Sequence, residues 1–166
     1  KTVWCFRIHP ICWANYLRPE TNPHLHQEHW KALKKYLLDT NICIYFLKGQ
    51  YSLDKKLDNA GLQNCFISEV TVAELKYGAE NSLQVEKNRK VVEEFINAFT
   101  IIPIFNALDI YAKEKARLKK KGQLIDDFDL LIGTTAISND LILITRNVSD
   151  FERLEKISIE NWVESN

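Results

Sequence analysis

A chain of 166 residues, of which 46% are hydrophobic and 27% charged, has the size and composition of one soluble globular domain. Lys plus Arg and Asp plus Glu each number 22, and this balance excludes a bulk attraction to nucleic acid, so that any such contact needs a local basic patch or metal ions. No apolar run approaches the roughly 18 residues of a membrane-spanning helix.

Residues 1–33 differ in composition from the rest of the chain. They hold all four histidines and three of the four tryptophans, and they show neither helical nor strand periodicity. Cys5, Cys12 and these histidines could form a zinc site, but their spacing matches no standard zinc finger. We predict an irregular, appended extension over residues 1–33 and a folded domain over residues 34–166.

From residue 34 onward, short apolar runs alternate with segments of helical spacing. The predicted strands are 36–38, 65–67, 101–105, 141–145 and 157–159. The predicted helices are 42–48, 53–60, 71–79, 85–99, 107–121 and 129–138. Gly122 suits the end of a helix, and Pro103 favours an edge position for the third strand. This alternation predicts an α/β domain with a central, mostly parallel sheet flanked by helices.

The cysteines give a prediction about redox state. Cys43 and Cys65 lie in apolar stretches, where a free cysteine behaves as a small buried hydrophobic residue. A disulfide framework does not fit a chain of this size and cysteine spacing. We therefore predict free thiols and a reducing compartment, the cytoplasm.

Several polar side chains fall where predicted strands end. Asp39 directly follows the first strand, Glu74 lies in the first turn of the helix after the second strand, and Asp129 opens an apolar helix. Asn147 and Asp150 follow the fourth strand. In an open parallel sheet, ligands bind beyond the carboxyl ends of the strands, where the strand order reverses. We therefore predict that these residues meet in an acidic pocket.

Clustered carboxylates repel each other, and a divalent cation relieves the repulsion. Oxygen ligands favour Mg²⁺ or Mn²⁺ over zinc. Such ions lower the pKa of a bound water, orient a phosphodiester and neutralise charge on its reacting oxygens. Because no histidine follows residue 29, a histidine general base is excluded from the predicted domain, which favours a metal-activated water.

Each acid taken alone also has a structural explanation. Thr71 and Glu74 have the spacing of a capping box at a helix start. Asp126 or Asp127 is placed to cap the helix that contains Asp129, and Asp39 is placed to cap the helix after the first strand. Capping therefore stays open for each residue, whereas the joint placement of the acids favours a metal site.

Four segments carry a family resemblance in their order along the chain. They are 36–45 (YLLDTNICIY), 67–78 (ISEVTVAELKYG), 122–132 (GQLIDDFDLLI) and 143–151 (LITRNVSDF). These segments resemble the successive motifs of VapC toxins, PIN-domain ribonucleases of type II toxin–antitoxin systems. The segment 159–162 (IENW) is similar to the last strand of that family, so that the resemblance covers about residues 35–163.

The resemblance implies a PIN-like fold in which Asp39, Glu74 and Asp129 are the metal-binding catalytic acids. The fourth acid of the family is often an Asp, and here that position is Asn147, which offers an oxygen ligand without a charge. This departure puts tight binding of a second metal in doubt. Asp150 could compensate as a ligand, or it could cap the next turn.

The resemblance further implies that Thr40, Asn41 and Thr145 orient the acids through hydrogen bonds. It implies Mg²⁺-dependent hydrolysis of RNA phosphodiesters, commonly at structured sites such as tRNA anticodon loops. It also implies a homodimer and a VapB-type antitoxin that occludes the acidic pocket. Cleavage by such a toxin inhibits translation until the antitoxin is replenished.

Basic and aromatic side chains provide the candidates for an RNA-binding surface. Arg146, next to the predicted pocket, is the best single candidate for a phosphate contact. The fifth predicted helix carries a basic run that could follow RNA phosphates or simply be solvated, formed by Lys113, Lys115, Arg117, Lys119, Lys120 and Lys121. Tyr45, Phe46 and Tyr77 could stack on bases, although packing in a core or an interface is the more ordinary role of such residues.

Two other functions fit part of the pattern. A metal-dependent phosphatase or phosphoacceptor would carry phosphate on Asp39 and would need a lysine in the pocket, for which the sequence offers no clear candidate. A non-catalytic PIN-fold module that binds RNA or protein is favoured by Asn147 alone. Nucleotide-cofactor binding is unsupported, because neither Gly-x-Gly-x-x-Gly nor a Walker-type Gly-Lys-Ser/Thr occurs.

Overall fold

The computed structural model describes residues 34–163. The predicted extension over residues 1–33, with its candidate zinc ligands, lies outside the described residues, as do residues 164–166 at the end of the predicted domain. Within the described part of the chain, no helix has both the length and the apolar character needed to cross a membrane.

Short strands alternate with helices along residues 34–163. The strands are β1 (Tyr36–Leu38), β2 (Cys65–Ser68), β3 (Thr100–Ile102), β4 (Ile142–Ile144) and β5 (Ser158–Glu160). The helices are α1 (Thr40–Leu47), α2 (Leu53–Ala60), α3 (Glu69–Glu80), α4 (Val85–Asn97), α5 (Leu108–Lys120), α6 (Asp127–Ser138) and α7 (Val148–Phe151). Short 3-10 turns cover Leu62–Asn64 and Phe105–Ala107.

The strands form one parallel sheet in the order β3-β2-β1-β4-β5. The predicted α/β fold is therefore confirmed, and β3 is an edge strand, although it ends at Ile102, just before Pro103. The chain builds β1 to β3 towards one side and then returns to place β4 on the other side of β1. The strand order thus reverses between β1 and β4, where an α/β sheet forms its ligand crevice.

Alternating strand residues supply two core layers, one on each face of the sheet. Tyr36 and Leu38 pack in the layer formed mainly with α1 to α4, whereas Leu37 packs in the layer formed mainly with α5 to α7. Cys43 and Cys65 are free and buried in the first layer, as predicted. The two covered faces leave the carboxyl edge of the sheet as the place for polar chemistry.

Candidate functional site

Asp39 sits where β1 passes into α1, at the position where the strand order reverses. Its Oδ1 accepts a hydrogen bond from the backbone N–H of Thr40 at 2.7 Å, so the N-cap role considered from sequence is real. This cap starts α1 at Thr40, two residues earlier than predicted. Only 2% of Asp39 is exposed to solvent.

Two further hydrogen bonds hold the other oxygen of Asp39. Asn41 Nδ2 donates to Asp39 Oδ2 at 2.5 Å, and Thr145 Oγ1 donates to the same atom at 2.6 Å. Thr145 follows β4, so its bond crosses from one side of the switch point to the other. The predicted orienting residues thus contact Asp39 directly, and its carboxylate is fixed by both neighbouring strand ends.

Glu74 projects from the second turn of α3, and the predicted capping box at its start is wrong. The helix begins at Glu69 because Ser68 Oγ accepts the backbone N–H of Thr71 at 3.0 Å. Glu74 Oε2 instead accepts a hydrogen bond from Thr40 Oγ1 at 2.5 Å. Thr40 therefore links α1 to α3 and ties the second acid to the first.

Asp129 lies in the first turn of α6, which begins at Asp127 rather than at Asp129. The predicted cap by Asp126 is confirmed, since Asp126 Oδ1 accepts the backbone N–H of Phe128 at 2.8 Å. Asn147 Nδ2 donates to Asp129 Oδ2 at 3.2 Å. The helix start and the loop after β4 therefore fix Asp129 together.

Asn147 joins Asp129 to Asp150 through one amide group. Its Nδ2 also donates to Asp150 Oδ2 at 2.8 Å, and Arg153 Nη2 forms an ion pair with Asp150 Oδ1 at 2.9 Å. The predicted cap by Asp150 is wrong, because Asp150 lies within the first turn of α7 and bonds side chains instead. Asn147 bridges two carboxylates without adding a third negative charge.

The three acids line one pocket of about 670 Å³, together with Thr40 and Asn41. They come from three different elements, the β1–α1 junction, α3 and α6. The predicted meeting of Asp39, Glu74 and Asp129 is therefore found. Asn147, Asp150 and Thr145 do not line this pocket. Thr145 donates to Asp39 and Asn147 donates to Asp129, whereas Asp150 is joined to Asp129 through Asn147.

Burial and mutual repulsion make the carboxylates hard to ionise. Burial raises the pKa of Asp39 to about 7 despite its hydrogen bonds, and the charges of Asp129 and Glu74 add to the rise. Burial also raises the pKa of Asp129 to about 6, with contributions from Asp126 and Glu74. The pKa of Glu74 is raised by burial as well. Positive charge in the pocket would relieve this repulsion.

The arrangement of donors suits a hydrated ion rather than a closed cage. Across residues 34–163, no three His, Cys, Asp or Glu side chains converge closely enough to ligate one ion together. Mg²⁺ keeps several waters and is usually held by one or two carboxylates, whereas structural zinc needs four converging protein ligands. The residues present therefore fit a partly hydrated Mg²⁺ or Mn²⁺ ion and do not fit structural zinc.

Comparison with known proteins places the chain in a family. The PIN domain model matches residues 36–157. Ribonuclease VapC2 of Haemophilus influenzae is 42% identical over 138 residues, which cover 78% of this chain and 98% of that protein. The chain belongs to the VapC ribonucleases of the PIN-domain family.

Other VapC proteins are similar to this chain in sequence and in structure. The tRNA(fMet)-specific endonuclease VapC of Salmonella typhimurium is 36% identical over 129 residues, covering 77% of this chain and 98% of that protein. The crystal structure of DNA-bound VapBC from Salmonella typhimurium superposes with a TM-score of 0.73 at 35% identity, covering 78% of this chain and 98% of that one. The VapC resemblance seen in the sequence motifs is confirmed.

The residues predicted to contact phosphate do not line the acidic pocket. Arg146 is exposed, donates to Tyr45 Oη at 2.8 Å, and reaches the site only through its backbone N–H, which donates to Asn41 Oδ1 at 3.3 Å. In the basic run on α5, Lys115 pairs with Asp127 and Arg117 with Glu114. Two of the six cations of this run are thus engaged in ion pairs within the protein.

The sequence patterns missed the apolar part of the pocket. Ile44, Ala73, Tyr77 and Phe128 complete its lining. The sequence leaves Tyr77 open between base stacking and packing, and it does not distinguish Phe128. Phe128 could not be identified from the sequence, because an aromatic residue at a helix start, beside a candidate acid, is as typical of a core as of a pocket.

Proposed function

We propose that this chain is a toxin endoribonuclease that hydrolyses RNA phosphodiester bonds with Mg²⁺, or with Mn²⁺ in its place. The observation that carries the proposal is the lining of one pocket by Asp39, Glu74 and Asp129, two of which have pKa values raised to about 7 and 6. Buried acids with perturbed pKa values in a cleft are typical of functional sites. Membership of the VapC ribonucleases supports the same activity.

In this proposal the three acids hold one ion, and at least one of them does so through the waters of the ion. A bound divalent ion supplies charge neutralisation and a water of lowered pKa. Asp39 is kept in place by Thr40, Asn41 and Thr145, and it cannot rotate away without losing three hydrogen bonds. Such orienting partners of ligating carboxylates typically change metal affinity or activity by roughly 10–100-fold when they are replaced.

Asn147 and Asp150 act around the ion site rather than at its centre. The Nδ2 atom of Asn147 faces both Asp129 and Asp150, so this atom orients carboxylates and does not ligate a cation. Arg153 already neutralises Asp150. We infer that one ion is held tightly, and that any contribution of Asn147 or Asp150 as a ligand is weaker.

The substrate and partners are inferred from those of related proteins. The Salmonella typhimurium relative is described as a tRNA(fMet)-specific endonuclease, and the structures from Salmonella typhimurium and Rickettsia felis are described as VapBC complexes bound to DNA. We propose tRNA as the first candidate substrate and a VapB-type antitoxin as partner. We further propose a homodimer that acts in the cytoplasm.

A phosphoacceptor function has less support. Such a site needs a cation beside the aspartyl group, and no lysine is among the described residues that line the pocket. A non-catalytic PIN-fold module also has less support. The replacement of the family's fourth acid by Asn147 does not remove Asp39, Glu74 or Asp129 from the pocket.

The proposal is tested by sequencing RNA ends after brief induction of the chain in bacterial cells. We expect wild type to arrest growth and to produce new ends at defined RNA positions, and Asp39→Asn to produce neither. Asp140→Asn is the matched control, because it removes an exposed carboxylate outside the pocket at a positive φ that Asn tolerates. Equal cleavage by wild type and Asp39→Asn would overturn the site assignment.

A further inference from the structure

Two aromatic side chains stand exposed at the acidic pocket. Tyr77 and Phe128 line it, yet 67% of Tyr77 and 51% of Phe128 remain exposed to solvent. Within residues 34–163, neither ring stacks on another aromatic ring, in contrast to Phe46 and Phe95, which pack together in the core. Half or more of each residue is therefore accessible to a ligand.

Both aromatic residues are tied to the candidate ion ligands by their positions on helices. Phe128 directly precedes Asp129 in the first turn of α6, where the cap by Asp126 fixes its backbone. Tyr77 lies three residues after Glu74 on α3, a spacing that puts the two side chains on the same helix face. A group held at the acids therefore has one ring on the α3 side and one on the α6 side.

The pocket combines features that match a nucleotide. Its volume of about 670 Å³ lies within the roughly 300–1,000 Å³ of small-molecule sites. A nucleotide has a charged phosphodiester, which an ion at the carboxylates would hold, and a flat base, which aromatic faces hold by stacking. A protein segment would match the apolar wall, but it offers no phosphodiester to an ion held at the acids.

We propose that Tyr77 and Phe128 contact the bases on the two sides of the bond that is cut, and that they thereby restrict the site to unpaired RNA. This inference rests on the proposed ribonuclease function and extends it to the substrate. In a duplex, each base has both faces covered by its neighbours, whereas bases in loops can splay out and stack on aromatic side chains. The two rings would then select loops and single strands without reading their sequence.

The test compares cleavage of one RNA in two forms. The probe is an oligoribonucleotide that spans the cut site mapped after induction, used alone and annealed to its complement. We expect wild type to cut the single strand far faster. Phe128→Leu and Tyr77→Leu should raise KM for the single strand on the order of 10-fold with a smaller change in kcat, since stacking contributes mainly to binding.

Matched variants separate stacking from loss of apolar surface. Phe105 and Leu83 are 79% and 83% exposed and do not line the pocket, so Phe105→Leu and Leu83→Ala should leave KM unchanged. Tyr77→Phe keeps the ring and should behave as wild type. With Ca²⁺ in place of Mg²⁺, so that the ion site is filled while cleavage is suppressed, 2-aminopurine beside the cut site should be quenched by wild type and by Tyr77→Phe, and less by the two leucine variants.

Three outcomes would overturn the inference. Unchanged KM and unchanged quenching in both leucine variants would show that the rings do not meet the bases. If light scattering finds a lower oligomeric state in these variants and KM is unchanged, the rings are assigned to a contact between copies of the chain. Loss of antitoxin binding with normal RNA cleavage would assign them to a protein partner. Absence of cleavage by wild type would instead refute the proposed function itself.

Discussion

At the scale of single residues, Asp39 shows two opposing effects. It accepts three hydrogen bonds, which stabilise its charged form, and it is buried beside two other acids, which destabilises that form. The second effect is larger, because its pKa is raised to about 7. A carboxylate that is held in place but poorly neutralised is prepared for a cation rather than for an ordinary structural role.

This imbalance predicts how stability depends on pH. A carboxylate with a raised pKa binds more protons in the folded state, so the free energy of unfolding rises as pH falls through the folded value towards the unfolded value near 4. With folded pKa values of about 7 for Asp39 and about 6 for Asp129, we expect the metal-free protein to gain about 1 kcal/mol per pH unit from about pH 7 to pH 6. Urea unfolding in EDTA measures this slope.

Two variants serve as controls for the pH slope. Asp39→Asn should lose most of it, whereas Asp140→Asn should keep it. Acids with lowered pKa values, such as Glu80 and Glu114, reduce the free energy of unfolding only when the pH falls below their ordinary pKa. They therefore do not affect the slope between about pH 7 and pH 6. A free energy of unfolding that stays constant or falls as pH drops from about 7 to about 6 would contradict the assigned shifts.

At the scale of elements, the sequence predicted the five strands and six of the seven helices of residues 34–163, missed the short α7, and misplaced several helix starts. Asp39, Ser68 and Asp126 each cap a helix and begin it two residues before the predicted start. The error has one physical cause. Each of these helices begins with a polar residue, Thr40, Glu69 or Asp127, so a boundary taken from apolar periodicity comes too late.

Variants of Asp126 can separate its two effects, the cap at the start of α6 and the negative charge. Asp126 holds the helix start and also raises the pKa values of Asp129 and Glu74. Asp126→Asn keeps a good cap but removes the charge, so the free energy of unfolding at pH 8 should change little while the pKa of Asp129 falls. Asp126→Ala removes both and should cost about 1 kcal/mol.

Carboxyl-carbon NMR titration and urea unfolding together measure these two effects. If Asp126→Asn lost as much stability as Asp126→Ala, the cap would not be the main structural contribution of this residue. If neither variant lowered the pKa of Asp129, the through-space effect of Asp126 would be absent.

At the scale of the whole molecule, the sequence predicted the pocket because parallel strands all end at one edge. Asp39 follows β1 and Thr145 follows β4, so the topology alone brings them together at the switch point. The bridging role of Asn147 and the aromatic wall could not be predicted in this way. The bridge depends on how the start of α7 packs against α6, and the aromatic wall depends on how α3 packs beside α6. No local pattern in the chain encodes either arrangement.

The central claim is that Asp39, Glu74 and Asp129 share a divalent ion. Calorimetric titration of the metal-free protein with Mn²⁺, free of RNA, tests it most directly. We expect wild type and Asp140→Asn to bind one ion tightly, and Asp39→Asn, Glu74→Gln and Asp129→Asn each to bind it on the order of 10-fold or more weakly. Equal Mn²⁺ affinity in wild type and all three pocket variants would contradict the account.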